Sequence, residues 1–268
     1  MKVDATERAK MPAGTSKVLD GRSLQNSYST LLPVLKKDMR VLDVGCGTGA
    51  ISAGIAEAVG DEGHVIGIDS SDHLIAKGKQ DYADVTNLEL LEANLFEYNP
   101  SEKFDLIVSA RVLQWLSNPG QALAKFKTLL KPGGQISILD YNHTKLEWKP
   151  EPPASMKKFY QAFLDWRADA GMDNEIADHL PLLLEQQGFH SIETIDADEV
   201  AEKGEKSFAD KLSLWSKVAE LRGPQVVKNG FISEAERLQA IDEYNTWIAE
   251  HAEAMIVKLK DVRGELPL

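Results

Sequence analysis

The sequence predicts an α/β fold, a doubly wound and mainly parallel sheet of seven strands with helical caps, and three observations carry that prediction. Between Arg40 and Tyr141 short apolar runs alternate with longer amphipathic ones, the pattern of parallel strands covered by helices on both faces. The first run, "RVLDV", breaks directly into a turn with glycine at 45, 47 and 49. After Tyr141 the character shifts to a proline-rich connector and helical stretches, with strand patterns returning only near residues 190 and 254.

The strand candidates of the first half are "RVLDV", "HVIGID", "LELLE", "FDLIVS" and "QISILDY". Between them "AISAGIAEAVG" and "PGQALAKFKTLLKPGG" read as helices, each ending at glycine, a common helix stop. Beyond the connector "EWKPEPPAS", residues Met156, Phe159, Tyr160, Phe163 and Trp166 share one helical face. "LPLLLEQQGFHSIETID" reads as a helix stopped at Gly188 and a sixth strand. In "SEAERLQAIDEYNTWIAEH", Ser233 and Glu236 have capping-box spacing, while Leu238, Ile241, Tyr244 and Ile248 form one face. "AMIVKLKDVRG" closes the sheet as a seventh strand. The expected organisation is a single domain over 1–268, with a core at about 30–141 and helical cap elements at about 1–30, 150–172 and 198–252. Closing strands are expected at about 190–196 and 254–261, and the polar stretches 149–154 and 201–207 read as joints between core and cap.

Composition narrows the function. A chain of 268 residues, 43% hydrophobic, is long enough to bury an enzyme-sized core. A net charge of −12 argues against nucleic acid as a partner, because that affinity comes largely from lysine and arginine at phosphates. One cysteine, Cys46, excludes an intramolecular disulfide, and the polar start "MKVDATERAK" does not resemble a signal peptide. A cytoplasmic location is expected, with no membrane span, no metal site, and a monomer or homodimer as the working state.

Three glycines after a buried strand let the chain turn tightly and present its amides to a ligand without intervening side chains. Asp69 ends the second strand, 20 residues beyond Gly49, where a carboxylate can accept hydrogen bonds from both hydroxyls of a ribose. The spacing is G-x-G-x-G, where a nicotinamide site more often has G-x-G-x-x-G, and no GKS is present. A nucleoside without a pyrophosphate fits this pattern best.

"VLDVGCGTGA", "VIGIDSS", "FDLIVSARVLQWL" and "LLKPGGQISILDY" together resemble the class I S-adenosylmethionine-dependent methyltransferases, a Rossmann-like family, in four blocks spanning about residues 30–141. The resemblance implies that Gly45, Cys46, Gly47 and Gly49 line the methionine part of the cofactor and that Asp43 holds the turn and the cofactor's amino group. It implies further that Asp69, with Ser70 beside it, takes the ribose and that Asn94, where the family usually has aspartate, and Leu95 meet the adenine. Ser109, Ala110 and Arg111 would pass close to the sulfonium. Cys46 also reads as a small packing residue.

Methyl transfer from a sulfonium is an in-line displacement in which positioning supplies much of the rate, so a catalytic residue need not exist. Cytosine C5 chemistry needs a cysteine on another loop, and amino methylation of adenine or glutamine usually goes with N/D-P-P-Y/F where this chain has "SARV". What remains is a small-molecule acceptor, resembling the branch that includes the quinone-biosynthesis and trans-aconitate enzymes. His143, just past the fifth strand, is the candidate base. Arg22, Tyr28, Arg111, Tyr141, Phe159, Phe163 and Trp166 are the candidate acceptor contacts, with Arg22 and Tyr28 also able to close over the cofactor's carboxylate. Two other readings stay open: an aminopropyl transferase using the decarboxylated cofactor, and a non-catalytic fold relative.

Overall fold

An uninterrupted apolar run makes a stable strand only where both of its faces are covered. The computed structural model, which describes residues 5–10 and 21–268, covers them in that way. The strands are β1 (Arg40–Val44), β2 (His64–Asp69), β3 (Leu88–Glu92), β4 (Phe104–Ala110), β5 (Leu130–Lys149), β6 (His190–Asp196), β7 (Glu199–Glu202) and β8 (Ala254–Glu265). Their spatial order is β3-β2-β1-β4-β5-β8-β6, with β7 also paired to β8. The first five run parallel, and β8 lies antiparallel between β5 and β6.

Neighbouring residues of each central strand point to opposite sides and feed two cores. Val41, Val65, Leu106, Val108 and Leu139 pack beneath the N-terminal segment and the cap, whereas Leu42, Ile66, Ile68, Ile107 and Ile138 pack beneath the helices Pro119–Leu129 and Ile176–Gln186. Each such side chain contributes about 1.5–3 kcal/mol on burial. The edge strand β6 is largely exposed, and β3, at the other edge, buries only Leu90.

The first helix, Ala50–Val59, ends as expected against Gly60 at φ +78°. The next expectation needs correction. Its helix stops at Leu129, short of the glycines, because Pro132 disfavours a helical Lys131 and because Leu130 already pairs with Phe104. The capping box of Ser233 and Glu236 forms, but the buried face of that helix is Arg237, Ala240, Tyr244 and Trp247. Leu238 is 51% exposed, so the stripe is rotated by about one residue from the expected one, with Trp247 supplying the bulk that Leu238 does not.

The cap departs further from expectation. β5 does not stop at Tyr141: after an irregularity it continues beside β8 to Lys149, and β7 joins the same ribbon. Both joints are thereby shortened, since Lys149 and residues 201–202 are strand, with Ala201 buried against Met255. The helix Ala154–Asp169 packs on Glu234–Glu250, and Met156, Phe159, Tyr160, Phe163 and Trp166 are all buried there. The cap element expected over residues 1–30 lies partly outside the described residues; within them, Leu24–Ser27 seats Leu24 on Gly54 and buries Tyr28 and Leu31.

Candidate functional site

Gly45, Gly47 and Gly49 take φ of +75°, +59° and +79°, values that side chains resist. Their turn is tied to the end of β2. The amides of Gly45 and Cys46 donate to the Ile68 carbonyl at 2.8 and 3.1 Å, and the Gly47 amide donates to Asp69 Oδ2 at 3.0 Å. Asp69 Oδ1 accepts from the Ser71 amide at 2.8 Å, so one carboxylate orders two loops while staying partly open to solvent. A Cβ at residue 45 would lie 2.3 Å from Val112 Cγ2, so the bare backbone lets the segment after β4 press against the turn. Sequence positions 43–49, 69 and 109–112 therefore meet at the carboxyl ends of β1, β2 and β4.

Beneath the turn, Asp43 is 3% exposed and accepts a 2.6 Å hydrogen bond from Ser52 Oγ. Burial pushes its carboxyl up to about 6, opposed by the Ser52 bond and reinforced by the Asp69 charge. Burial also raises the Cys46 thiol well above its usual range, which suits a packing residue rather than a nucleophile. Asp140, fully buried, is pushed up to about 6 by the same cause, against the amides of Tyr141 and Gln114 that donate to it. The sign of the linkage follows. Between about pH 4 and 6 the folded chain holds protons at these two sites that the unfolded chain has lost, so stability falls as pH rises through that window. Each site is worth on the order of 3 kcal/mol. Asp43→Asn is expected to gain stability relative to the parent at pH 7 and to flatten the slope; urea unfolding at pH 4.5 and 7 checks it, and an unchanged difference between the two pH values would refute the assignment.

Ser70 and Asn94 are exposed at the ends of β2 and β3, and Leu95 is half-buried. Asn94 Oδ1 accepts from the Phe96 amide at 3.0 Å, a local turn that leaves its side chain at the surface. Ser109 is fully buried with its hydroxyl on the Val44 carbonyl at 3.1 Å, so it braces β4 on β1, and Ala110 is half-buried beside it.

Arg111 has φ +63°, a conformation rare for a side-chain-bearing residue and one that clusters at functional sites. Its guanidinium is buried, with Nε donating to Tyr141 Oη at 2.9 Å and Nη2 to the Ser27 carbonyl at 3.0 Å and to Glu199 of β7. These three partners line a cavity of about 1010 Å³ that also has Arg22 and Tyr28 in its wall. Tyr28 is held by Ser137 Oγ at 2.8 Å, and burial and the Asp261 charge keep its phenol protonated. Thus Arg22, Tyr28 and Tyr141 line one cavity, and Arg111 stands behind its wall.

The other expected acceptor contacts lie elsewhere. Phe159, Phe163 and Trp166 do not line the cavity. Their rings fill the interior of the cap, where Trp166 Nε1 donates to Asn229 at 2.7 Å and Phe163 contacts Trp115 and Trp215. An aromatic stripe at helical spacing cannot say which neighbour it meets, and here the neighbours are helices. His143 is also relocated. It lies within β5, buried, with Nε2 at 2.6 Å from Gln114 Oε1. Because Gln114 Nε2 donates to the Arg111 carbonyl, its Oε1 must accept, which puts the imidazole proton on Nε2 and leaves Nδ1 an acceptor with no partner among the described residues. Burial, helped by the Arg167 charge, holds the ring well below its usual range, so it stays neutral through physiological pH.

Glu199, Gln114, Asp140 and Arg167 were not singled out by sequence. Gln114 and Trp115 do lie in "LQWL", where the Trp115 ring has the guanidinium carbons of Arg167 and Arg222 each 4.6 Å from its centroid. Glu199 had only the short alternation "EVAE" to mark a strand. Among the described residues no cluster suited to a metal ion occurs, and no helix is long and apolar enough to cross a membrane.

A demethylmenaquinone methyltransferase of Listeria welshimeri is 35% identical over 119 residues, 43% of this chain and 50% of that protein. The ubiquinone/menaquinone biosynthesis C-methyltransferase UbiE of Vibrio parahaemolyticus is 31% identical over 128 residues, 46% of this chain and 47% of that one. The chain thus spans about half the length of the curated relatives it matches. Among solved structures, phosphoethanolamine N-methyltransferase 2 of Haemonchus contortus, in complex with phosphomonomethylethanolamine and S-adenosylhomocysteine, shares the fold at a TM-score of 0.56 and 17% identity, over 96% of this chain and 54% of that one. The methyltransferase domain pattern matches residues 35–188, more than half of the sequence, and the chain belongs to the methyltransferase domain family.

Proposed function

We propose that this protein transfers a methyl group from S-adenosylmethionine to a small-molecule acceptor by in-line displacement. The observation that carries the reading is the left-handed glycine turn held to Asp69 at the carboxyl ends of β1 and β2. Gly45, Cys46, Gly47 and Gly49 would hold the methionine part, Asp43 the amino group, Asp69 and Ser70 the ribose, and Asn94 and Leu95 the adenine. Ser109, Ala110 and Arg111 would border the reacting centre. When bound, the cofactor supplies an electrophilic methyl group on a sulfonium. The chain's own task is to orient an acceptor against it and keep water out, with Arg22, Tyr28 and Tyr141 lining the acceptor cavity. His143, as a neutral acceptor behind Tyr141 with ring centroids 5.1 Å apart, would orient that tyrosine's surroundings rather than titrate.

The names of the relatives offer a quinone carbon as acceptor, but the cavity's lining, with seven charged residues, suits a polar molecule better. We read the whole of 1–268 as one domain, because β8 completes the sheet between β5 and β6, and keep a cytoplasmic location and a monomeric or homodimeric state as part of the same proposal. One observation favours the aminopropyl reading: Asp196, Asp198, Glu199 and Asp210 line the cavity, as a polyamine would require. Two of the four are already committed, Asp198 to Lys258 at 2.8 Å and Glu199 to Arg111, which weighs against it. Calorimetry with S-adenosylmethionine and its decarboxylated form decides between them. Tighter binding of the intact cofactor, followed by mass-shifted products in a screen of hydroxyl, carboxyl and amine acceptors, is expected; preference for the decarboxylated form, or no binding of either, overturns the proposal.

A further inference from the structure

The Arg111 guanidinium is tightly held and incompletely paired. Its side chain is 3% exposed, its backbone is left-handed, and Nη1 is buried without a hydrogen-bond partner among the described residues. Among the described residues the carboxylate that meets it, Glu199, comes from the cap strand β7 and is 38% exposed, so the cation lies behind the anion as seen from solvent. Arg22 stands close by, half-buried, feeling the charges of both Arg111 and Glu199 and having no ion pair of its own among the described residues. Arg22 and Glu199 thus line a cavity of about 1010 Å³, with the Arg111 guanidinium paired to Glu199 just behind its wall. A buried N–H without a partner keeps its full desolvation penalty, which is greater for a charged guanidinium than for a neutral donor. An oxyanion entering this cavity would offer acceptors to arginine donors, whose forked geometry suits carboxylates and phosphates alike.

We infer that Arg111 and Arg22 form the binding site for an oxyanion of the acceptor, a carboxylate or a phosphate ester, and that Glu199 occupies part of that site until the ligand's anion displaces it. Release of Glu199 frees Nη2 as well as the unpaired Nη1, so the incoming anion gains a fork of two donors. The exchange is feasible because Glu199 is a surface-facing carboxylate on a four-residue strand, and water can take up its charge as it leaves. Lys217 in the same lining would add to the attraction of an anion, whereas Lys211 is already held by Glu205 at 2.8 Å. The inference rests on the proposed function for calling the ligand an acceptor; the site itself does not need the cofactor.

The test is calorimetric titration of the full chain, with and without S-adenosylhomocysteine, using benzoate, inorganic phosphate, neutral benzamide and choline as probes. Benzoate or phosphate is expected to bind at least tenfold more tightly than benzamide and choline, and which of the two leads tells a carboxylate site from a phosphate site. Arg22→Ala should cost the anion at least tenfold, and Glu199→Gln should tighten it severalfold by removing the competitor. Equal binding of charged and neutral probes, preference for choline, no binding of any probe, or an Arg22→Ala variant that binds the anion unchanged would each overturn the site. A Glu199→Gln variant with the same or weaker anion affinity would overturn the exchange. Because S-adenosylhomocysteine is titrated in the same samples, failure of the methyltransferase reading appears separately, as loss of that binding alone.

Discussion

Asp69→Ala is expected to weaken S-adenosylhomocysteine binding by about 2–3 kcal/mol, a rise in Kd of roughly 30- to 160-fold. Two effects add. The ribose hydroxyls would lose a charged acceptor, and the Gly47 and Ser71 amides lose the carboxylate that sets the two loops at their present spacing. Asp69→Asn separates them, since its single carbonyl keeps one acceptor of neutral strength; an affinity between parent and alanine variant is expected. Calorimetry gives the affinities, and circular dichroism with urea unfolding establishes that both variants fold. An alanine variant that folds and binds as tightly as the parent would remove Asp69 from the cofactor site.

Gly47→Val is expected to abolish measurable binding, a loss beyond 100-fold. At φ +59° any Cβ is strained by about 1–2 kcal/mol, and a β-branched side chain, stiff at its first torsion, is strained more. The turn can relieve the strain only by rotating the Gly47 amide away from Asp69 Oδ2, which undoes the link between β1 and β2. Gly47→Ala imposes the backbone strain with less bulk and should retain weak binding. Equal affinity of the valine variant and the parent, with folding intact, would show the turn to be a structural connection alone.

The order of apolar runs, the glycine turn and the aspartate ending β2 were legible in sequence because each is a local consequence of residue type. A continuous apolar pentamer has few stable fates but a covered strand, a left-handed turn wants glycine, and Gly188 and the Ser233 box act within one helical turn of where they stand. What tertiary structure alone decided concerns partners distant along the chain. Phe159, Phe163 and Trp166 carry the same periodicity whether they face a ligand or another helix, and only the packing of Ala154–Asp169 on Glu234–Glu250 assigns them to the interior. His143 reads as lying just past the fifth strand because "NHTKLEW" lacks the apolar density of a core strand; β5 resumes beside β8 at Glu147 with His143 in the irregularity between, and Gln114, 29 residues away, fixes its tautomer. Arg111 and Glu199 are 88 residues apart. Their pairing depends on β7 reaching the end of β4, because the free energy of an ion pair is set by distance and burial, neither of which a linear sequence contains.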